Sequence, residues 1–264
     1  MIVEATVVQM VPGASIAGMA ISLIISVALP IVLLIVWRKK TGARFSSFCI
    51  GAGIFILFAL ILEQIFHSVM LGLTGTVLRD KIWLYALYGG LAAGLFEETG
   101  RFTAMKLLMK HPDRKNAIMY GIGHGGIEAI LITGFSMISN LATSATINAG
   151  NLESILAPLG DQRQTVLAQL SALWTEPSWK FYMAGMERVS AVMLHIVLSY
   201  MVYLAVKNQK NIWYVLAVLL HAAVNAGTIL FAQVLPVWIV EVILLAVCAG
   251  LIFAVKRQYQ KEPV

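Results

Sequence analysis

Charge is scarce in this chain. Only 12% of its 264 residues are Asp, Glu, Lys or Arg, about half the ~25% of a soluble domain. With 59% hydrophobic residues and a mean hydropathy of +0.84, that scarcity excludes a water-soluble globular protein. No long polar block is present to build an extramembranous domain, so residues 1–264 read as one membrane-embedded domain. Cysteine is nearly absent too. Cys49 and Cys248 each sit in an apolar run, which excludes a disulfide framework and Cys-based metal spacing. The first 13 residues hold Glu4 and no Lys or Arg. The apolar stretch after them is too long for a signal-peptide core, so a cleavable signal is not expected. Three protease signatures are also missing. There is no HExxH and no GxSG, and Pro158-Leu159-Gly160-Asp161 lacks the first glycine of a GxGD motif.

What is there is a series of apolar runs. A bilayer-spanning helix needs about 20 mostly apolar residues. That window predicts seven: Ala14–Trp37, Phe45–Leu71, Ile82–Met109, Ala117–Leu141, Trp179–Val206, Ile212–Ala232 and Pro236–Val255. The expected fold class is therefore an all-α polytopic membrane bundle. Thirteen of the 19 Lys and Arg residues fall in alternate connections and the tail: Arg38 to Arg44, Lys106 to Lys115, Lys207 with Lys210, and Lys256 to Lys261. The other side has Arg79, Lys81, Arg163 and Lys180. The positive-inside rule then predicts an outer N-terminus and a cytoplasmic C-terminus in a cell membrane. The net charge of +6 reflects this topology, and no nucleic-acid partner is implied. The outer stretch 142–178 contains Val166, Leu167, Leu170, Leu173 and Trp174 at helical spacing. An amphipathic helix is expected there, lying in the interface or packed on the bundle edge.

Against this background Phe96-Glu97-Glu98-Thr99-Gly100-Arg101 stands out. Each ionisable group near the bilayer centre costs roughly 2.5–3.5 kcal/mol on insertion scales, and such residues mark functional sites by default. Other spans bring partners. His124 and Glu128 are four apart on one helix face, as are His221 and Asn225. His195 stands in the fifth span. At 1.5 Å per residue, Glu97, His124, His195 and His221 come to lie about 10–20 Å from the predicted cytoplasmic ends. The shared depth points to one site, opening toward the cytoplasmic half.

Hydrolysis inside a membrane needs an activated water, a general base and a group that steadies an oxyanion. His124, His195 and His221 with Glu128 or Glu98 offer enough donors for a catalytic zinc ion, which takes three protein ligands and a water. Glu97 and Glu98 are the expected base and ligand, in either order. Asn225 is a neutral donor for a carbonyl oxygen, and Arg101 pairs with a carboxylate. A metal-free route, in which a glutamate activates water beside histidines alone, uses the same residues. So does a proton- or metal-coupled transporter. A non-catalytic partner that keeps a protease fold is a third possibility. Taken singly, the histidines also fit structural hydrogen bonding, and Glu97, Glu98 and Arg101 fit an ion pair that locks the bundle. Glu187 and Arg188 are expected to pair with Glu63 or His67, away from the site.

The order Glu97-Glu98-x-x-Arg101, His124-x-x-x-Glu128, His221-x-x-x-Asn225 resembles the glutamate-dependent intramembrane protease superfamily, which includes the CAAX prenyl, Abi and PrsW proteases. The chain most resembles its YhfC-like branch of intramembrane metalloproteases. The resemblance implies hydrolysis of a peptide bond in a membrane peptide or protein. CAAX-type members place three residues between the glutamates and the basic residue, whereas only Thr99 and Gly100 intervene here. That turns Arg101 by about 100° around the helix, so prenylated substrates are not implied.

Overall fold

The computed structural model describes residues 9–109 and 112–261. The N-terminal residues that argue against a signal peptide, and Lys110, lie outside them. Seven long helices form the bundle: α1 (Gly13–Thr41), α2 (Phe45–Thr74), α3 (Ile82–Leu107), α4 (Arg114–Asn148), α5 (Trp179–Asn208), α6 (Ile212–Phe231) and α7 (Val237–Lys261). No strand occurs among the described residues. Six of the seven are long and apolar enough to cross a bilayer. Helix α3, at 26 residues, has the length but carries the acidic motif in its second half.

Helix ends follow local chemistry. Gly42 closes α1 in the left-handed region at φ 69°, where glycine meets no steric penalty. Asp113 caps α4 by accepting a hydrogen bond from the Asn116 backbone N–H at 2.8 Å, as N-cap carboxylates do.

Helix α5 is the centre. Two-thirds of its apolar window is buried, against 17–28% in the other spans, and it packs on α1, α3, α4, α6 and α7. Its neighbours approach closely because small residues line the seams. On α4, Gly121 and Gly125 face α5 at His195, while Gly123 faces the Phe48 carbonyl of α2. A Cβ on Gly123 would stand 2.1 Å from that oxygen. Gly90 and Gly94 of α3 lie against the α6 backbone in the same way. These contacts bring α3, α4, α5 and α6 close enough for short side chains to meet.

The main apolar core, around Met105, Ala117, Tyr200 and Val255, fills the end that carries the basic loops. The stretch after α4 is shorter than the sequence suggests, since α4 runs to Asn148. Two brief helical turns follow, and then a helix at Arg163–Thr175. Its Leu170, Leu173 and Trp174 pack with Met19, Met137 and Ile147, so this helix sits on the bundle edge.

Two spans contain π-helical turns, Ile56–Glu63 in α2 and Ala129–Gly134 in α4. One ends on Glu63 and the other begins just after Glu128. Such wide turns recur at functional sites.

Candidate active site

Adjacent residues on a helix point about 100° apart, and this separates Glu97 from Glu98. Glu97 faces a cavity. Glu98 is fully buried and faces the packed side of the bundle.

Glu97 is the hub. His124 Nε2 donates to Glu97 Oε2 at 2.8 Å. His221 Nε2 lies 3.9 Å from Oε1, and His195 Nδ1 lies 4.0 Å from Oε2. Three helices thus bring histidines to one carboxylate of a fourth. Each histidine stands about 14–20 Å along its helix from the basic end.

Outer contacts orient these groups. Glu98 Oε1 lies 2.9 Å from His221 Nδ1, which turns Nε2 toward Glu97. Arg101 Nε lies 3.0 Å from Glu98 Oε2. The same fully buried guanidinium donates to the His195 carbonyl at 2.8 Å, to Ser199 Oγ, and to His195 Nδ1 at 3.0 Å. Arg101 therefore pairs with Glu98 and clamps α3 to α5. On the far side His195 Nε2 meets Glu128 Oε2 at 2.5 Å. Arg188 donates to Glu128 at 2.8 Å and also pairs with Glu187.

A cavity of about 230 Å³ adjoins Glu97, His195 and His221, and its walls include Glu128, Arg188, Ser190, Asn225 and Thr228. It runs away from the basic end, contrary to the opening expected from the sequence. Arg101, Tyr120 and Met105, all fully buried, fill the basic side of the glutamate–histidine layer.

The expected site residues divide as follows. Glu97, His195 and His221 come together, with one ligand atom from each lying within 4.8 Å of the others. His124 holds Glu97, and Glu128 holds His195, so both stand one contact outside that group. Glu98 and Arg101 stand behind His221 and His195. Asn225 lines the cavity wall, half-buried.

One pairing differs from expectation. Glu187 and Arg188 join Glu128, while Glu63 and His67 join each other. His67 Nε2 lies 3.2 Å from Glu63 Oε1, and its Nδ1 lies 2.6 Å from the Tyr88 hydroxyl. This cluster lines a second cavity of about 390 Å³ that shares Asn225 with the first. The Glu63-x-x-x-His67 spacing, the same four-residue step as His124 to Glu128, was the available signal.

Does the donor set suit a metal? Two imidazoles and a carboxylate are a known catalytic zinc set. His221 fits best, because Glu98 occupies its Nδ1 and supplies the carboxylate–histidine support that such ligands use. The 3.9 Å between its Nε2 and Glu97 is too long for a hydrogen bond, so that nitrogen would be free to hold an ion. His195 is the contested donor, since Arg101 already reaches its Nδ1. The residues present fit a metal ion.

Fold and site together define a polytopic membrane protein with a glutamate–histidine centre buried in its helical bundle. Comparison with known proteins narrows this. The profile of the YhfC intramembrane metalloprotease family matches residues 25–244. The chain is 38% identical over 228 residues to the "Uncharacterized membrane protein YhfC" of Bacillus subtilis (strain 168), covering 85% of this chain and 88% of that one. This chain belongs to the YhfC family. No solved structure matches it significantly.

Proposed function

We propose that the protein hydrolyses a peptide bond of a membrane-associated protein or peptide, with a zinc ion held by Glu97, His195 and His221. One observation carries this reading. Three helices deliver a carboxylate and two imidazoles to one point beside a polar cavity inside the bundle. The family's name, intramembrane metalloprotease, supports the same reaction. A zinc ion bound there supplies Lewis acidity and a water of lowered pKa.

The chain's own groups do the rest. Glu97 is the glutamate of the pair on the cavity wall, so it is the one that would hold the ion where a substrate can reach it. His124 holds Glu97 in place, and Glu98 fixes the tautomer of His221. The Asn225 amide, on the cavity wall, donates to the oxygen that becomes negative as the carbonyl is attacked. The N-terminus lies outside and the C-terminus in the cytoplasm, as the loop charges suggest, so the cavity reaches toward the outer leaflet. A coupled transporter needs access from both ends, and both polar cavities extend toward the same end.

The test uses the purified protein in vesicles with zinc and a panel of Lys-flanked model transmembrane peptides. Glu97→Gln and His221→Ala are expected to lose about 10³-fold or more in kcat/KM, as removal of groups that act as a unit does. Cleavage by both variants at the wild-type rate would sink the reading.

A further inference from the structure

The cavity at Glu97 adjoins an apolar groove. The groove has a volume of about 180 Å³ between α6 and α7, and Gly227, Phe231, Ile243 and Val247 line it. Val224, Thr228 and Leu244 belong to both groove and cavity. Helix α7 packs along α5 and touches α6 only sparsely, so the groove is the seam where α6 and α7 part. Phe231, Ile243 and Val247 are exposed on the bundle surface, where the bilayer surrounds the spans.

Ser190 of α5 stands on the wall of the Glu97 cavity. It is fully buried, and its hydroxyl has no protein partner. The other buried serines among the described residues are all bonded. Ser15 meets Ser178, Ser22 the Phe181 carbonyl, and Ser47 the Asn116 side chain. Ser26, Ser144 and Ser199 each donate to the carbonyl four residues back. A buried hydroxyl left without a partner is destabilising. Ser190 therefore marks a place where a group from outside the chain completes the hydrogen bonding.

We propose that an apolar, lipid-embedded segment of the substrate reaches Glu97 sideways through the α6–α7 groove, in extended form, and that Ser190 hydrogen-bonds its backbone. This deepens the hydrolase reading and rests on it. An α-helix already pairs its backbone groups within itself, so a segment that meets Ser190 through its backbone is unwound at the bond to be cut. The substrate class is then a transmembrane segment with residues of low helix propensity, such as glycine or serine, beside the scissile bond. Ser190 is a positioning residue.

Gly227 supplies the test. A Cβ there meets only the Phe231 ring, at 3.7 and 3.9 Å, so a larger side chain fits the folded protein and fills the groove. Replacing a helical glycine also favours the helix. Wild type, Gly227→Ala, Gly227→Leu, Ser190→Ala and Glu97→Gln are compared in vesicles. The probe is a Lys-flanked Leu/Ala transmembrane peptide with a central Gly-Ser-Gly. Readouts are cleavage, the unfolding temperature, and photo-crosslinking from a benzophenone placed at Ile243.

Gly227→Leu is expected to keep or raise the unfolding temperature while cleavage and peptide crosslinking fall about tenfold or more. Gly227→Ala stays near wild type. Ser190→Ala keeps its unfolding temperature, because it removes an unpaired hydroxyl, and raises KM about tenfold with a smaller change in kcat. If Gly227→Leu and Ser190→Ala cleave and crosslink like wild type while Glu97→Gln is dead, access lies elsewhere and the hydrolase reading stands. Full activity of Glu97→Gln overturns both. Should the peptide resist cleavage by wild type, crosslinking decides alone: peptide adducts lost in Gly227→Leu support the proposal, and adducts to lipid alone overturn it.

Discussion

His221 Nδ1 lies 2.9 Å from Glu98 Oε1. That contact gives the two adjacent glutamates different tasks: Glu98 orients a histidine and Glu97 meets the cavity. Glu98→Gln keeps the shape but loses the charge that faces both His221 and Arg101. Removing the carboxylate behind a metal-binding histidine costs about 10–100-fold in affinity or activity. Zinc retention against a chelator is expected to weaken by that factor, with the fold intact. Retention equal to wild type would assign Glu98 a purely structural task.

Among the described residues, Arg101 is the largest fully buried side chain. It serves Glu98, the His195 carbonyl, His195 Nδ1 and Ser199 at once. Breaking a buried ion pair from one side costs about 3–5 kcal/mol, so Arg101→Ala is expected to fall in that range in denaturant unfolding in micelles. Arg101→Lys is expected to recover less than half of it, because an ammonium lacks the planar fork that reaches several acceptors. Full recovery by lysine would show that charge alone matters.

Two glycines separate close packing from mere helix propensity. Gly123→Ala places a Cβ 2.1 Å from the Phe48 carbonyl oxygen, and backbone cannot move aside cheaply. A loss of about 1–3 kcal/mol is expected, as for other overpacked sites. Gly89 has nothing within 4 Å of its Cβ position, so Gly89→Ala is expected to stabilise by up to about 1 kcal/mol. Unfolding midpoints of the two variants check the pair. Equal effects would argue against the α2–α4 contact.

The Tyr88–His67–Glu63 chain adjoins a cavity of its own. Tyr88→Phe removes one hydrogen bond and is expected to cost about 1 kcal/mol while zinc content stays at wild type. Loss of zinc in this variant would join the two clusters into one centre.

Much of this was legible in the residues. Hydropathy located seven helices, five of them to within four residues at each end, while α4 and α7 run seven and six residues further, and the depth of Glu97, His124, His195 and His221 predicted that they meet. The roles within the cluster were not legible. His124 and Glu128 share a helix face, but the partners of Glu128 are Arg188 and His195, 60 and 67 residues away, and no local spacing encodes that. Depth also says which layer holds the polar groups without saying which side of it is filled. Here Arg101 and Tyr120 fill the basic side, so the cavity runs the other way. The π turns beside Glu63 and Glu128 leave no mark in an apolar sequence, because the surrounding packing sets them.

The most direct measurement is the metal content of the purified protein. Wild type is expected to hold about one zinc ion per chain, as a three-ligand catalytic site does. Glu97→Ala and His221→Ala are expected to hold none, and His124→Ala is expected to hold zinc more weakly, because the lost imidazole is the one that touches Glu97. A wild-type protein that cleaves its peptide with no zinc bound, or a His221→Ala variant that keeps its full zinc content, would contradict the account.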